Sequence, residues 1–304
     1  MKKSRNSPAA RVINGNDVTG PTTSSQDWLS HNAARLRART AFLADLPPGE
    51  VLSLPGSMHH LRVVHYRKQL RLYFRGHDSP LIQSRIRVDG PLHLLAPYAQ
   101  AMMLVLLLQP NPRRIYMIGF GAGRLPMVLH HHFPQAIVDC TEIDLDVLAV
   151  AQSHFGVELD HRLRVTIMDG RAYLEGLAVP GSYETIFVNV SDGTDSSPIE
   201  LASSDFYALC KRHLAEHGVV AVNLLHCDAR YHEKVSILRA SFRTLYAIKT
   251  TVGGTVFIAV DGSPITVEVL VSRARLLARR HRFAFPFVKH ALRLLVNPTL
   301  AQTV

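Results

Sequence analysis

Residues 114–125 read Arg-Ile-Tyr-Met-Ile-Gly-Phe-Gly-Ala-Gly-Arg-Leu. The apolar run 115–118 is short and rich in β-formers, which is typical of the central strand of a parallel sheet. The glycines that follow permit positive φ angles and let backbone N–H groups approach a ligand closely. They are Gly119, Gly121 and Gly123. Residues 125–131 continue as a helix that accepts Pro126 in its first turn. This pattern alone fits either a nucleotide-binding turn or a plain glycine-rich turn.

A carboxylate follows the glycine turn at the spacing that a nucleotide-binding unit requires. In such a unit, an acidic residue ~20 residues further on accepts hydrogen bonds from ribose hydroxyls. Residues 136–144 read Ala-Ile-Val-Asp-Cys-Thr-Glu-Ile-Asp and predict a second strand that reaches Glu142. The two features together favour a nucleoside site.

The chain has 304 residues, of which 47% are hydrophobic, so it can bury the core of one large domain or of a main domain with a small appendage. The net charge is +10, and no acid follows Glu268. The cations of this acid-free segment are Arg273, Arg275, Arg279, Arg280, Arg282, Lys289 and Arg293. We interpret them as a solvated helix face rather than as a surface for nucleic acid or lipid.

Three cysteines without metal-ligand spacing indicate a reducing compartment and predict no metal site. The longest apolar run, residues 101–108, is too short to span a bilayer. We therefore expect a soluble, cytoplasmic protein without a membrane span.

The chain divides into five predicted segments. Residues 1–25 are polar and aperiodic and predict a disordered tail. Residues 26–49 predict a helical arm that packs on its own chain or contacts a second copy, and we expect a homodimer. Residues 50–90 alternate with period two and predict a small antiparallel β-domain. Residues 91–281 form the main domain, and residues 282–304 a basic C-terminal tail.

Strands and helices alternate through the main domain, which predicts an α/β fold with a doubly wound, mostly parallel, Rossmann-like sheet. Ligands of such sheets bind at the carboxyl ends of the strands. The predicted strand ends carry the glycine turn, Glu142, Asp169 and residues 189–192. Residues 247–251 and 255–260 predict a closing antiparallel hairpin.

Several stretches, in this order, resemble the spermidine synthase family, a branch of the class I adenosylmethionine-dependent methyltransferase fold. They are the glycine turn, residues 142–144, residues 168–174 (Met-Asp-Gly-Arg-Ala-Tyr-Leu), residues 188–192 (Val-Asn-Val-Ser-Asp) and residues 205–207 (Asp-Phe-Tyr). Gln83 on the last strand of the β-domain and Tyr98 on the next helix also match the family. The resemblance covers residues 50–280.

The resemblance implies a donor site for S-adenosylmethionine or its decarboxylated form. Glu142 would accept hydrogen bonds from the ribose hydroxyls, and Asp169, followed by Gly170, one from the adenine amino group. Ile143 would pack on adenine, although an ordinary core side chain is an equal alternative. The other implied donor-binding residues are Gly119, Gly121, Gly123, Asn189 and Gln83.

The resemblance also implies catalytic roles for Asp192 and Tyr98, with Asp192 orienting or deprotonating the nucleophile. Arg124 begins the first helix, where an anion is favoured, and could bind the carboxylate of intact adenosylmethionine. The alternative is that Arg124 faces solvent or pairs with a local acid.

The sequence departs from the family where acids are needed. Asn189 replaces an aspartate, and an amide is no general base near neutral pH. Ala122 replaces the acid that holds the donor amine, and the acids before Tyr98 are missing. Residues 249–254, Lys-Thr-Thr-Val-Gly-Gly, replace another family motif. Because a desolvated polyamine needs acids to balance its charge, a putrescine acceptor is not expected.

Three functions stay open from the sequence. The first is transfer of an aminopropyl or related carbon group from a sulfonium donor to an unidentified small-molecule nucleophile. The second is methyl transfer on the same fold. The third is a catalytically inactive nucleoside-binding homologue, for which Asn189 is the main argument.

Overall fold

The computed structural model describes residues 11–13, 25–75, 82–191 and 196–304, which form two β-sheets with packed helices. The strands are β1 (Arg11–Ile13), β2 (Gly49–Pro55), β3 (His60–Tyr66), β4 (Gln69–Arg75), β5 (Ser84–Arg87), β6 (Arg114–Ile118), β7 (Ile137–Glu142), β8 (Leu163–Ile167), β9 (Tyr183–Val188), β10 (Leu214–Leu225), β11 (Thr244–Thr250), β12 (Gly254–Val260) and β13 (Leu295–Val296).

The α-helices are α1 (Ser25–Thr40), α2 (Pro97–Met102), α3 (Arg124–His132), α4 (Leu145–His154), α5 (Gly170–Glu175), α6 (Ser204–His213), α7 (Tyr231–Ser241), α8 (Val267–His281), α9 (Phe287–Ala291) and α10 (Leu300–Thr303). Short 3-10 helices span Ala41–Ala44, Met103–Leu107 and Ile199–Leu201.

Within the described residues, the larger sheet has nine strands in the order β1-β8-β7-β6-β9-β10-β12-β11-β13. Strands β8, β7, β6, β9 and β10 run parallel, and the outer strands pair antiparallel. The chain moves from β6 to β7 and β8 on one side and to β9 and β10 on the other. The turn after β6 therefore lies where the strand order reverses, which is where such sheets bind ligands. The predicted fold class is confirmed.

Strand β6 is buried on both faces, as its apolar sequence predicts. Ile115 and Met117 point into a core layer shared with α2, α3, α8 and α9. Tyr116 and Ile118 point into a second layer shared with α6 and α7. Successive side chains of a strand face opposite sides, so a central strand needs apolar residues at every position.

The small domain is one antiparallel sheet in the order β2-β3-β4-β5. Its inward side chains alternate with outward ones, and they are Leu61, Val63, Leu70, Leu72 and Ile86. They form a third core with Val147, Val150 and Phe155 of the main domain. This apolar contact attaches the small domain beside the glycine turn.

The predicted helical arm contains α1 and a following 3-10 helix. Leu36 is buried in the first core layer, and Arg35 pairs with Glu158 at 2.9 Å. The arm therefore packs on its own chain, which is one of the two alternatives that the sequence left open. The homodimer stays a prediction.

Two predictions about the chain ends need correction. Residues 11–13 were included in a disordered tail, but they form β1 and pair with β8. Three residues are too few to show a periodic pattern, so this strand has no recognisable signal in the sequence. Ser25, the last residue of the predicted tail, begins α1, and residues 1–10 and 14–24 lie outside the described part.

The predicted basic tail 282–304 is also folded. It contains α9, β13 and α10, and β13 pairs with β11. Phe287 and Ala291 are each 1% exposed in the first core layer. The segment packs through its apolar face. Its cations do not oppose this packing, because they lie on the opposite, solvated side.

No helix in the described ranges has both the length and the apolar character needed to cross a membrane. The cytoplasmic location stays a prediction.

A cluster of buried histidines joins the end of α3 to the end of α8. The rings of His132 and His281 lie edge to face at 5.8 Å, and Phe283 stacks on His281 at 5.2 Å. Burial lowers the pKa of His131 to about 4, of His132 to about 3 and of His281 to about 4. These side chains are therefore neutral in the folded protein at neutral pH.

We predict that acidification destabilises the protein through these histidines. The unfolded chain takes up their protons near the ordinary pKa of about 6.5, whereas the folded protein keeps them neutral to a much lower pH. Stability is thus complete above about pH 6.5 and falls as the pH decreases, by up to about 1.4 kcal/mol per pH unit and histidine. Urea unfolding at several pH values measures this slope.

The variant His132→Leu should reduce the slope, because leucine keeps the apolar contact and removes one protonation site. The exposed His161→Gln is the matched control and should leave the slope unchanged. A wild-type stability that is constant between about pH 6.5 and about pH 4.5 would contradict the prediction.

Candidate functional site

The five parallel strands end at one edge of the main sheet, and polar residues follow four of them. Glu142 ends β7, Asp169 follows β8, and Asn189 follows β9. Asn223 lies near the end of β10, and the glycine turn follows β6. Parallel topology alone brings these groups to one edge.

The glycines of the turn differ in what surrounds them. A Cβ atom on Gly119 would lie 2.3 Å from the backbone oxygen of Asn189, so this glycine lets the ends of β6 and β9 approach. A Cβ atom on Gly121 would meet no atom within 4 Å, although its φ of +54° still favours glycine. Gly121 therefore borders open space beside the strand ends.

Glu142 binds the glycine turn with its side chain. One carboxylate oxygen accepts N–H groups from Phe120 and Gly121, both at 3.1 Å. The other accepts from Ile143 at 2.9 Å and from Asp144 at 3.2 Å. Burial raises the pKa of Glu142 above its ordinary value, and these four bonds counteract that rise only in part. The carboxylate fixes the turn, and a ribose diol would have to share or replace some of these donors.

Two further predicted donor residues lie at the open edge. Ile143 is 48% exposed, so it is no ordinary core side chain. Asp169 is exposed and caps α5 by accepting the N–H of Ala172 at 2.9 Å through one oxygen. Its other oxygen bonds no group in the described ranges. Gly170 packs on β6, where a Cβ atom would lie 2.3 Å from the side chain of Ile118.

A chain of neutral hydrogen bonds crosses the ends of β9 and β10. The side-chain amide of Asn223 donates to the Oδ1 atom of Asn189 at 3.2 Å. Asn189 in turn hydrogen-bonds Tyr98. The Tyr98 hydroxyl lies 3.5 Å from the backbone oxygen of Gln83, a long and weak contact. Two amides and a phenol thus meet where the resemblance implies the reacting centre.

Tyr98 stays protonated at this centre. Burial raises the pKa of Tyr98 above its ordinary value, and the bond from Asn189 and the charge of Arg85 offset this only in part. Arg85 lies on the small domain and donates to the backbone oxygen of Leu95 at 2.6 Å. The centre is therefore neutral, with a cation beside it.

The structure contradicts the prediction that Arg124 binds a donor carboxylate. Arg124 is 7% exposed, and its guanidinium donates to the backbone oxygens of Pro91 and, at 3.3 Å, Phe155. Arg124 thereby links the loop before α2 to the end of α4. The first-turn position predicted an anion contact, but the backbone carbonyl groups of Pro91 and Phe155 take up the guanidinium donors instead.

The small domain also contacts the edge beyond Glu142. The ring of His59 lies 3.2 Å from the carboxylate of Asp144, and the N–H of Ser57 donates to Asp146 at 2.9 Å. Both groups belong to the turn between β2 and β3. This turn is held against the exposed Ile143 edge, so the small domain forms one wall of the candidate donor site.

The predicted catalytic residue Asp192 lies outside the described residues, so its role stays a prediction. A buried ion pair holds Ser196 and Ser197, where the described chain resumes. Lys234 and Asp228 bond each other with side chains 1% and 3% exposed. Lys234 also bonds the backbone oxygen of Ser197, and Ser196 donates to Asp228 at 2.8 Å.

Sequence reasoning missed Asn223, His59 and the Lys234–Asp228 pair. Asn223 carried a usable signal, because it interrupts the apolar run of β10 near its carboxyl end. Neither His59 nor Lys234 had such a signal. In the described ranges, no group of three His, Cys, Asp or Glu side chains is arranged to hold a metal ion.

Comparison with known proteins gives matches of two kinds. The model of the spermine/spermidine synthase domain family matches residues 97–249. The polyamine aminopropyltransferase of Chromobacterium violaceum is 30% identical over 219 residues, which cover 71% of this chain and 83% of that protein.

Methyltransferases are also among the similar proteins. The mouse eEF1A lysine and N-terminal methyltransferase is 34% identical over 148 residues, 46% of this chain but only 21% of that protein. The crystal structure of human methyltransferase-like protein 13 in complex with SAH is 28% identical, with a TM-score of 0.54, over 62% of this chain and 91% of that chain. The aminopropyltransferase and the eEF1A methyltransferase are both transferases.

We predict that Lys234→Met lowers the free energy of unfolding by about 3–5 kcal/mol, because it leaves the buried Asp228 carboxylate without its counter-ion. Arg230 and Glu233 form an exposed pair on the same helix, so Arg230→Ala is the matched control and should cost less than about 1 kcal/mol. Urea unfolding compares the two variants. Equal, small losses in both would show that the buried pair does not anchor this segment.

Proposed function

The chain belongs to the spermine/spermidine synthase domain family, and we propose that it transfers a methyl group from S-adenosylmethionine to a nucleophile of a small-molecule acceptor. The observation that carries the proposal is the neutral centre of Tyr98, Asn189 and Asn223 at the strand ends. A neutral centre suits a reaction in which the nucleophile must be aligned with the donor but a charged acceptor need not be neutralised.

The open edge fits the donor in several respects. Gly121 borders open space, Ile143 offers an exposed apolar surface to a purine, and Asp169 has a free carboxylate oxygen for an amino group. Glu142 lies between these groups and is the acceptor for ribose hydroxyls. S-adenosylmethionine would supply a methyl group on a sulfonium that is already a good leaving group.

The residues of the centre would orient the acceptor. Asn189 hydrogen-bonds Tyr98, and its Oδ1 atom, which accepts one bond from Asn223, keeps a lone pair for an N–H or O–H group of the acceptor. Neither side chain accepts a proton near neutral pH, because the amide is not basic and the phenol stays protonated. Their contribution is therefore alignment and exclusion of water.

The charges disfavour a polyamine acceptor and a decarboxylated donor. A desolvated ammonium group needs a nearby carboxylate. Ala122, where the family resemblance places an acid, is 1% exposed and packs in the third core. Arg85 adds positive charge beside Tyr98. The missing acid leaves an aminopropyl ammonium group without a counter-ion, and the charge of Arg85 repels it.

Aminopropyl transfer is the second candidate. The relative from Chromobacterium violaceum favours it, since the match includes 83% of a polyamine aminopropyltransferase. Under this alternative, the acceptor amine would rely on Asp192 for charge balance.

The nucleoside product distinguishes these functions. We predict that incubation with intact S-adenosylmethionine and a mixture of small amines and amino acids yields adenosylhomocysteine. We also predict that decarboxylated adenosylmethionine with putrescine yields no methylthioadenosine. Liquid chromatography with mass spectrometry identifies both nucleosides. Glu175→Ala on the exposed face of α5 is a control that should keep full turnover.

Formation of methylthioadenosine would overturn methyl transfer and support the second candidate. If neither product forms, while adenosylhomocysteine binds in a calorimeter, the chain is a nucleoside-binding homologue without turnover.

A further inference from the structure

A cationic pocket opens between α2, the end of β11 and α9. It has a volume of about 200 Å³. Its lining includes Lys249, Thr250, Thr251, Lys289, His290 and Arg293, and it contains no acidic residue. The Thr side chains and the cations offer only hydrogen-bond donors or neutral hydroxyl groups to its interior.

Two cations of this pocket, Lys289 and Arg293, form no ion pair within the described residues. No acid follows Glu268 in the sequence. Lys289 makes no ion pair or hydrogen bond within the described ranges, and Arg293 uses one nitrogen, at 3.3 Å, on the backbone oxygen of Lys249. Lys249 itself bonds the backbone oxygen of Val304. Burial lowers the pKa of His290, and the charges of Arg293 and Lys289 lower it further, as expected in a positive field.

The pocket lies at the same sheet edge as the reacting centre. Gly254, at the start of β12, pairs with Leu225 at the end of β10 and with Thr250 at the end of β11. The ends of β10 and β11 are therefore two strand spacings apart, about 10 Å. Helix α2 connects the two places, because Pro97 and Gln100 line the pocket while Tyr98 contacts Asn189.

We propose that this pocket is an anion site that receives a phosphate or carboxylate group of the acceptor. Its small volume fits one such group rather than a whole drug-sized ligand. Lys289 and Arg293 supply charge-assisted hydrogen bonds, and the threonine hydroxyls add neutral ones. The acceptor is thus a molecule that carries an anionic group on the β11 side of its nucleophile. The link to the acceptor rests on the proposed function, whereas anion binding does not.

Calorimetric titration with inorganic phosphate and, separately, with succinate tests the site in the full chain. We expect binding of at least one probe at low salt. The double variant Lys289→Glu/Arg293→Glu should weaken it at least tenfold. The matched control Arg275→Glu/Arg279→Glu changes the net charge equally on the exposed face of α8, outside the pocket, and should stay within twofold of wild type.

The probe that binds more tightly shows whether the site prefers a phosphate or a carboxylate group. Absence of binding by both probes, or equal weakening in the two double variants, would overturn the proposal, since the latter indicates attraction by net charge alone. Adenosylhomocysteine is titrated into the same proteins, and its affinity should be unchanged within twofold in the pocket variant. If wild type binds anions as expected but not adenosylhomocysteine, the proposed function fails and the anion site stands.

Discussion

The four hydrogen bonds that Glu142 accepts from the backbone hold the candidate site together. Two come from the glycine turn after β6 and two from the chain that leaves β7. One carboxylate thus sets the separation of two neighbouring strand ends and the direction of the four N–H groups that it accepts. Gly119 makes the arrangement possible on the other side, because only a residue without a Cβ atom lets β9 end so close. The positions of Ile143 and Asn189 follow from these two constraints.

Electrostatics divides the strand-end edge into three zones. The donor side has carboxylates at Glu142 and Asp169, the centre has the neutral groups of Tyr98 and Asn189, and the far side is cationic. A positively charged sulfonium donor suits the first zone. An acceptor that must reach the centre past positive charge is favoured if it carries an anionic group. The small domain contributes to the first two zones through His59 and Arg85.

The sequence predicted what depends on local pattern and topology. Strand β6, the glycine turn and the meeting of Glu142, Asp169 and Asn189 at one edge follow from periodicity and from the geometry of parallel sheets. Side-chain direction does not follow in this way. Arg124 was assigned to a ligand because of its place on α3, but its direction is set by the carbonyl of Pro91, which is distant in the chain. Asn223 and Lys234 likewise depend on Asn189 and Ser197, partners that only the fold brings near.

The claim that the Glu142 edge is a donor site has one direct test, the titration of adenosylhomocysteine into wild type and Glu142→Ala. The account predicts a loss of binding free energy of about 1.5–3 kcal/mol, the range of hydrogen bonds to a charged group. Glu175→Ala, an exposed carboxylate in an ion pair on α5, should bind like wild type. An unchanged affinity in Glu142→Ala would contradict the assignment of the donor to this edge, because neither the ribose contact nor the fixed turn would then matter for binding.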